Sequence, residues 1–434
     1  MPLSQSFEAR LLPSLPLIVD HFATPFHIYD EAGIIETGER LKRAFHGVDF
    51  REYFAVKALP NPAVLRILSE LGFGFDCSST PEIATAQLAG AVGEDIMFTS
   101  NNTSREELRC ATEAGCILNL DDITLIPKVE NFPELISFRY NPGRDRRGCE
   151  LIGNPLEAKF GVREDQLVEA YRLARARGAS RFGLHTMVCS NELDYTRMLD
   201  TARMLLRLVE HVSNALGITF EFINLGGGVG IPYRPHEKPF DLEALGAGVR
   251  QLLKEFAVER ALPPPKIMLE SGRYMTGPHG VLVTRVLNRM SKWRDYVGVD
   301  ASMTSLMRPA LYEDAYHHIT APYATGRPEE VVDVVGSICE NSDKFAKQRA
   351  LPAVAEGDIL LIHDTGAHGH SMGFNYNGRL RPKELLLRRS GQVELIRREE
   401  VIEKDYFSTL RFEPKTLNLQ EGGASMAAGA SSED

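Results

Sequence analysis

The chain is short of the features that would fix its class at a glance. Its six cysteines, at positions 77, 110, 116, 149, 189 and 339, show no CxxC or other metal-ligand spacing. That excludes a zinc scaffold and fits a reducing compartment in which thiols stay free. No uninterrupted apolar run reaches bilayer-spanning length, so no membrane partner is expected. No basic block occurs and the net charge is −10, which argues against a nucleic-acid partner. The N-terminus, MPLSQSFEARLLPSLPLIVDHF, lacks the basic start and cleavage site of a signal peptide, so a cytoplasmic location is expected. No GxGxxG follows the first strand, which speaks against a dinucleotide fold.

What is present is ordinary for a soluble globular protein, with 43% apolar and 25% charged residues. At 434 residues, two domains are the natural division. Eight short apolar runs recur through the first two-thirds: Tyr53–Lys57, Gly74–Ser78, Ile96–Ser100, Ile117–Asp121, Leu135–Tyr140, Arg181–Thr186, Phe220–Gly226 and Lys266–Ser271. Stretches of helical spacing separate most of them. Runs apolar at successive positions suit strands buried on both faces, and eight alternating with helices predict an α/β fold, a (β/α)8 barrel over residues 26–279. Pro25–Tyr29 is expected to add a strand to that barrel. From Gly280 the rhythm changes to strands without long helices, which predicts a mostly antiparallel β domain over 280–412. Residues 1–25 are expected to join the β domain. The Gly/Ala/Ser-rich residues 413–434 are expected to form a disordered tail.

Active sites of such barrels sit at the C-terminal ends of the strands. There the sequence places Lys57, Asp76, His185, Gly226-Gly227-Gly228, Glu270 and Arg273. A strand-end lysine ordinarily snorkels to water, and a glycine run is ordinarily a turn. Collected on one rim, however, they offer an amine, an imidazole, a carboxylate and a phosphate cradle. Pyridoxal 5′-phosphate needs those parts. Burial at the rim is expected to lower the pKa of Lys57.

The motifs YFAVKALPNPAVL, GFDCSSTPEI, FRYNPG, NLGGGVGIPY, LESGR, DASMTSLMRPALY, SICENSD and HDTGAHGHSMGFNYNGRLRPKEL resemble those of the fold-type III pyridoxal phosphate decarboxylases, most closely diaminopimelate decarboxylase. The resemblance runs from Pro25 to about Arg411. It implies an alanine racemase-like barrel with a C-terminal β domain. It implies that Lys57 carries the cofactor as a Schiff base, that Asp76 belongs to the cofactor site, and that His185 lies against the ring. Glu270 would pair with the ring nitrogen. Gly226, Gly227, Gly228, Gly272, Arg273 and Tyr376 would hold the phosphate. Arg273, Arg308, Tyr312, Glu340 and Tyr376 would bind a small-molecule amino-acid substrate, with guanidinium forks on a distal carboxylate. Cys339 would return a proton to Cα in the partner's site, which makes the homodimer, with shared active sites, the working unit. The implied reaction is decarboxylation of meso-diaminopimelate to L-lysine. The alternatives are D-ornithine, D-lysine, a carboxynorspermidine-like or a modified substrate, or a non-catalytic homologue.

Four places depart from the family pattern. HxGS after strand six is replaced by His185–Asn191 (HTMVCSN), where Ser190 and Thr186 are the candidate substitutes for the phosphate-binding serine. CESGD becomes Cys339–Asp343 (CENSD), which loses a glycine. EPGR becomes Glu270–Arg273 (ESGR). The TGxxxSKFG segment becomes Ile152–Gly161 (IGNPLEAKFG), next to the region that distinguishes substrates.

Overall fold

Eight parallel strands close on themselves: β2 (Phe50–Ala55), β3 (Gly74–Cys77), β4 (Ile96–Phe98), β5 (Ile117–Leu120), β6 (Leu135–Tyr140), β7 (Arg181–Thr186), β8 (Phe222–Asn224) and β9 (Lys266–Leu269). The computed structural model describes residues 4–145, 154–411 and 413. Closure is made by β2, which pairs with β3 on one side and β9 on the other. Tyr53, Met97, Ile117, Leu135, Phe222 and Met268 form one buried cluster contributed by six of these strands. A much larger apolar cluster joins the strands to the surrounding helices, so the barrel is a filled core and not a pore.

The remaining strands form a separate, mostly antiparallel sheet of order β14-β13-β11-β10-β1-β16-β17, with β15 pairing β10 and β12. Its members are β1 (Phe26–Asp30), β10 (Gly280–Ser291), β11 (Asp295–Val299), β12 (Ile319–Thr320), β13 (Glu329–Val335), β14 (Lys344–Pro352), β15 (Ile359–Ile362), β16 (Lys383–Leu387) and β17 (Val393–Arg397). The segment expected to extend the barrel is therefore corrected. β1 lies antiparallel to β10 and parallel to β16 in this second sheet. All five of its residues are buried, and two N-terminal helices, Gln5–Leu11 and Leu15–Phe22, pack Phe7, Leu11 and Leu15 against Phe26 and Ile28. A strand buried on both faces reads the same in either sheet, which is why sequence alone misplaced it.

The compact body ends at Glu399. Beyond it, a short turn of helix spans Ile402–Tyr406, and Val401 N–H donates to Asp405 at 2.8 Å. Apart from Glu413, the expected tail lies outside the described residues, as do Cys149, Ile152 and Gly153. No described helix is long and apolar enough to cross a membrane.

Candidate active site

β2 stops at Ala55, and Val56–Ala58 makes one tight turn that carries Lys57 clear of the sheet. Asn61 then caps the next helix, accepting from Ala63 N–H at 3.1 Å with Pro62 in its first turn. The carbonyl of Ala58 accepts His368 N–H at 2.9 Å and the Ser371 hydroxyl at 3.2 Å, which ties the lysine turn to a loop of the β domain. Lys57 Nζ lies 3.3 Å from Asp76 Oδ2; half of the lysine side chain stays accessible while Asp76 is buried. Burial works to lower the lysine pKa, but Asp76, Glu270 and Glu82 outweigh it and hold it above its ordinary value. The expected lowering is thus corrected: the rim carries too many carboxylates. Burial, with Glu270 beside it, pushes Asp76 up to about 6, against the opposing pull of Lys57 and His185.

Across the rim, Glu270 Oε1 sits 3.3 Å from His185 Nε2, both side chains being buried. Asn224 orients the carboxylate by donating to Oε1 at 2.8 Å, while its own Oδ1 accepts Gly226 N–H at 2.8 Å. Burial would raise the Glu270 pKa, yet His185, Lys57 and Arg139 hold it below the usual value, so it is an anion at neutral pH. Neither His185 Nδ1 nor Asp76 Oδ1 has a hydrogen-bond partner among the described residues. Buried polar atoms without partners mark a place where a ligand belongs.

Lys57, Gly227, Gly228, Glu270, Gly272 and Arg273 line one cavity together with Ser190 and His368. Gly226 and Gly228 adopt φ of 72° and 104°. A Cβ on Gly228 would meet Cys189 O at 2.6 Å, and one on Gly272 would meet Ala58 Cβ at 2.7 Å. Among the described residues, the N–H of Gly227 meets only the Met187 thioether, at 3.1 Å, a weak acceptor that leaves it available to a phosphate oxygen. Of the two hydroxyls proposed to replace the family serine, Ser190 lines this cavity. Thr186 donates to Tyr140 O at 2.9 Å instead.

Arg273 and Arg308 are both buried, and neither has a carboxylate partner among the described residues. Tyr233 organises them. Its hydroxyl accepts from Arg273, and its ring lies 5.3 Å from the Arg308 guanidinium, which also sits 5.5 Å from Tyr312. Arg308 and Tyr312 line a cleft of about 630 Å³ that shares Ser190 and Asn191 with the first cavity. Two buried, acid-free guanidiniums make a strong anion site.

Cys339, Glu340 and Tyr376 are not brought to either cavity. All three are exposed and cluster among themselves: Tyr376 hydroxyl donates to Glu340 at 3.1 Å, and Cys339 N–H donates to Asn377 Oδ1 at 2.7 Å. Tyr376, expected to hold the phosphate, does not line the glycine cavity within a single chain. The aromatic residue that lines the cradle is His368, which the motif HDTGAHGHSM contained without marking. It adopts φ of 55°, a strained backbone for a side-chain-bearing residue, and its ring makes no hydrogen bond to any described residue. Asn224 and Tyr233, the two ends of NLGGGVGIPY, also went unmarked, because an amide in a strand and a tyrosine in a turn signal no role by themselves. The glycine missing from CENSD matters little, since Ser342, which stands in its place, is not in the left-handed region. From Asn154 to Gly161 the segment that departs from TGxxxSKFG packs on the end of β6, where Asn141 donates to Pro155 O and Phe160 O.

An eight-stranded parallel barrel with an amine, a glycine cradle and a buried carboxylate on its rim, joined to a mostly antiparallel sheet, defines the alanine racemase-like pyridoxal phosphate enzymes. The family described as "Pyridoxal-dependent decarboxylase, pyridoxal binding domain" matches residues 31–277. The chain is 48% identical over 416 residues to Protein TabA of Pseudomonas amygdali pv. tabaci, covering 95% of this chain and 97% of that protein. It is 38% identical over 390 residues to diaminopimelate decarboxylase of Methanothermobacter thermautotrophicus, covering 88% and 91%. The crystal structure of diaminopimelate decarboxylase from Helicobacter pylori complexed with L-lysine superposes with a TM-score of 0.82 at 30% identity, covering 90% and 97%. The chain belongs to the pyridoxal-dependent decarboxylases; it is an amino-acid decarboxylase of the diaminopimelate decarboxylase type, and its cofactor is pyridoxal 5′-phosphate.

Proposed function

We propose that the enzyme decarboxylates meso-diaminopimelate to L-lysine. The observation that carries this reading is the pair of buried, acid-free guanidiniums, Arg273 and Arg308, oriented by Tyr233. Such a pair suits a carboxylate at the far end of the substrate and has no task to perform on ornithine or lysine, which lack one. Glu340 would then receive the distal ammonium, with Tyr376 hydrogen-bonded to it and moving with it.

In this reading Lys57 is the amine that holds the cofactor, and Asp76 keeps the lysine charged whenever another amine takes its place. The N–H groups of Gly227 and Gly228 and the Gly272–Arg273 backbone hold the phosphate, with His368 lining the same cavity. Bound pyridoxal phosphate supplies the electron sink that accepts the pair left behind as CO2 departs. Glu270, an anion positioned by Asn224, keeps a proton on the ring nitrogen, and His185 packs against the ring. The Cys339 thiol returns a proton to Cα. Because Cys339 and Glu340 lie outside the cavities of their own chain, this step falls to a second copy, and the working unit is a homodimer.

A second reading has its own support. Identity to Protein TabA exceeds that to the diaminopimelate decarboxylase described above, and the departures at 185–191 and 152–161 fall around the pocket. A modified form of the same diamino dicarboxylic acid fits these facts. CO2 release from purified protein, measured with meso-diaminopimelate and with the D- and L-forms of lysine and ornithine, separates the cases. Release from meso-diaminopimelate alone is expected. Silence across the panel would eliminate the first reading and leave the second.

A further inference from the structure

The turn after β9, Glu270-Ser271-Gly272-Arg273, carries residues for both ends of the cofactor, so whatever fixes this turn affects both. Ser271, at φ −81° and ψ 49°, is its centre, and Gly272 N–H donates to Glu270 O at 2.8 Å, the closure of an inverse γ-turn. Ser271 is buried, so its own N–H must find an acceptor inside the protein. That acceptor is the side chain of Glu52.

Glu52 is an odd residue for its place. It lies in the middle of β2, in register with Leu269, wholly buried, with no basic partner among the described residues and with its second oxygen unpartnered. A leucine or valine would carry no desolvation cost of its own there, whereas a lone buried carboxyl is expensive. The family pattern EPGR supplies the other half of the reasoning. Proline at the second position has no N–H to satisfy. This chain has serine there, hence a donor, and Glu52 answers it. The tethered turn in turn aligns its neighbours: Glu270 N–H donates to Gly226 O at 2.9 Å, and Gly272 is pressed on Ala58, next to Lys57.

We propose that Glu52 is a positioning residue that holds the Glu270–Arg273 turn through the Ser271 N–H, and so sets both the affinity for pyridoxal phosphate and the protonation of its ring nitrogen. The second effect rests on the assignment of Glu270 to that nitrogen.

The test titrates pyridoxal phosphate into the full-length apoenzyme and records affinity and the visible absorption band at fixed pH. Glu52→Leu is expected to bind about tenfold more weakly, the scale of one buried donor left without an acceptor, with a shifted band. Glu52→Gln keeps a carbonyl acceptor and should match the wild type. The deciding variant is Glu52→Leu/Ser271→Pro. It removes acceptor and donor together, at a φ close to the roughly −65 ± 15° that proline imposes, and it should recover wild-type affinity. Wild-type behaviour of Glu52→Leu, impairment of Glu52→Gln, or a double variant that stays impaired or fails to fold each overturns the proposal. Glu270→Gln serves as a separate arm. If it leaves the band unmoved, the ring-nitrogen assignment falls, while rescue of affinity by Ser271→Pro is still read independently.

Discussion

Lys57 sits where burial and charge pull in opposite directions, and the carboxylates prevail: Asp76, Glu270 and Glu82 together hold its pKa above the ordinary lysine value. Cofactor loading needs the neutral amine. Removing the anion 3.3 Å away takes away an interaction that favours the ammonium, so Asp76→Asn lowers the lysine pKa. The rate of cofactor loading into apoenzyme, plotted against pH, should shift about one unit toward acid in Asp76→Asn. An unmoved profile would refute the electrostatic link between the two residues. Glu52 gives a second pH signature. Burial, with Glu270 adding to it and Ser271 opposing it, raises its pKa from 4.5 to about 8. A carboxyl bound to its proton more tightly when folded contributes stability that is full below about pH 4.5 and is lost as pH rises through about 8. Glu52→Gln has no such proton to lose. Apoenzyme thermal midpoints of wild type and Glu52→Gln should therefore diverge between those limits, the variant gaining as pH rises. Parallel curves would contradict the raised value.

At the scale of elements, the glycine cradle between β8 and the following helix has no room for a side chain. Gly228 combines φ of 104° with a backbone oxygen 2.6 Å from where a Cβ would stand. Gly178 has nearly the same φ, 105°, with nothing within 4 Å. Gly178→Ala thus isolates the backbone cost, about 1–3 kcal/mol, and should leave cofactor affinity unchanged. Gly228→Ala should cost that much and also lower cofactor affinity by at least about tenfold. Equal affinities in the two variants would show that the cradle does not hold the phosphate. The same scale explains what could be read in the sequence. Barrel strands buried on both faces announce themselves as apolar runs, and Lys57, Asp76, His185 and Glu270 lie at or near the strand ends where the fold puts chemistry. β1 was misread because burial on two faces does not say which sheet provides them. His368 went unmarked because it lies in a loop-rich segment, where no periodicity tells which side chain turns inward. Glu52 escaped notice because a partner for a backbone N–H is a three-dimensional fact.

At the scale of the whole molecule, the cavity and the thiol belong to different surfaces. Lys57, Glu270 and the glycines line the barrel cavity, whereas Cys339, Glu340 and Tyr376 are exposed elsewhere on the same chain. If each site takes its amine from one copy and its thiol from another, the two can be inactivated separately and then recombined. Lys57→Ala and Cys339→Ala homodimers should each be close to inactive. Mixed, dissociated and reassociated at equal amounts, they form heterodimers in half of the population. In each heterodimer one site carries both substitutions and the other carries neither. Activity should then return to about one quarter of the wild-type level, the share set by random pairing of a two-fold dimer. Recovery should disappear when a single chain carries both substitutions and is mixed with neither parent. Should Lys57 and Cys339 serve the same site from one chain, no heterodimer would contain an intact pair, and the mixture would stay as inactive as its parents.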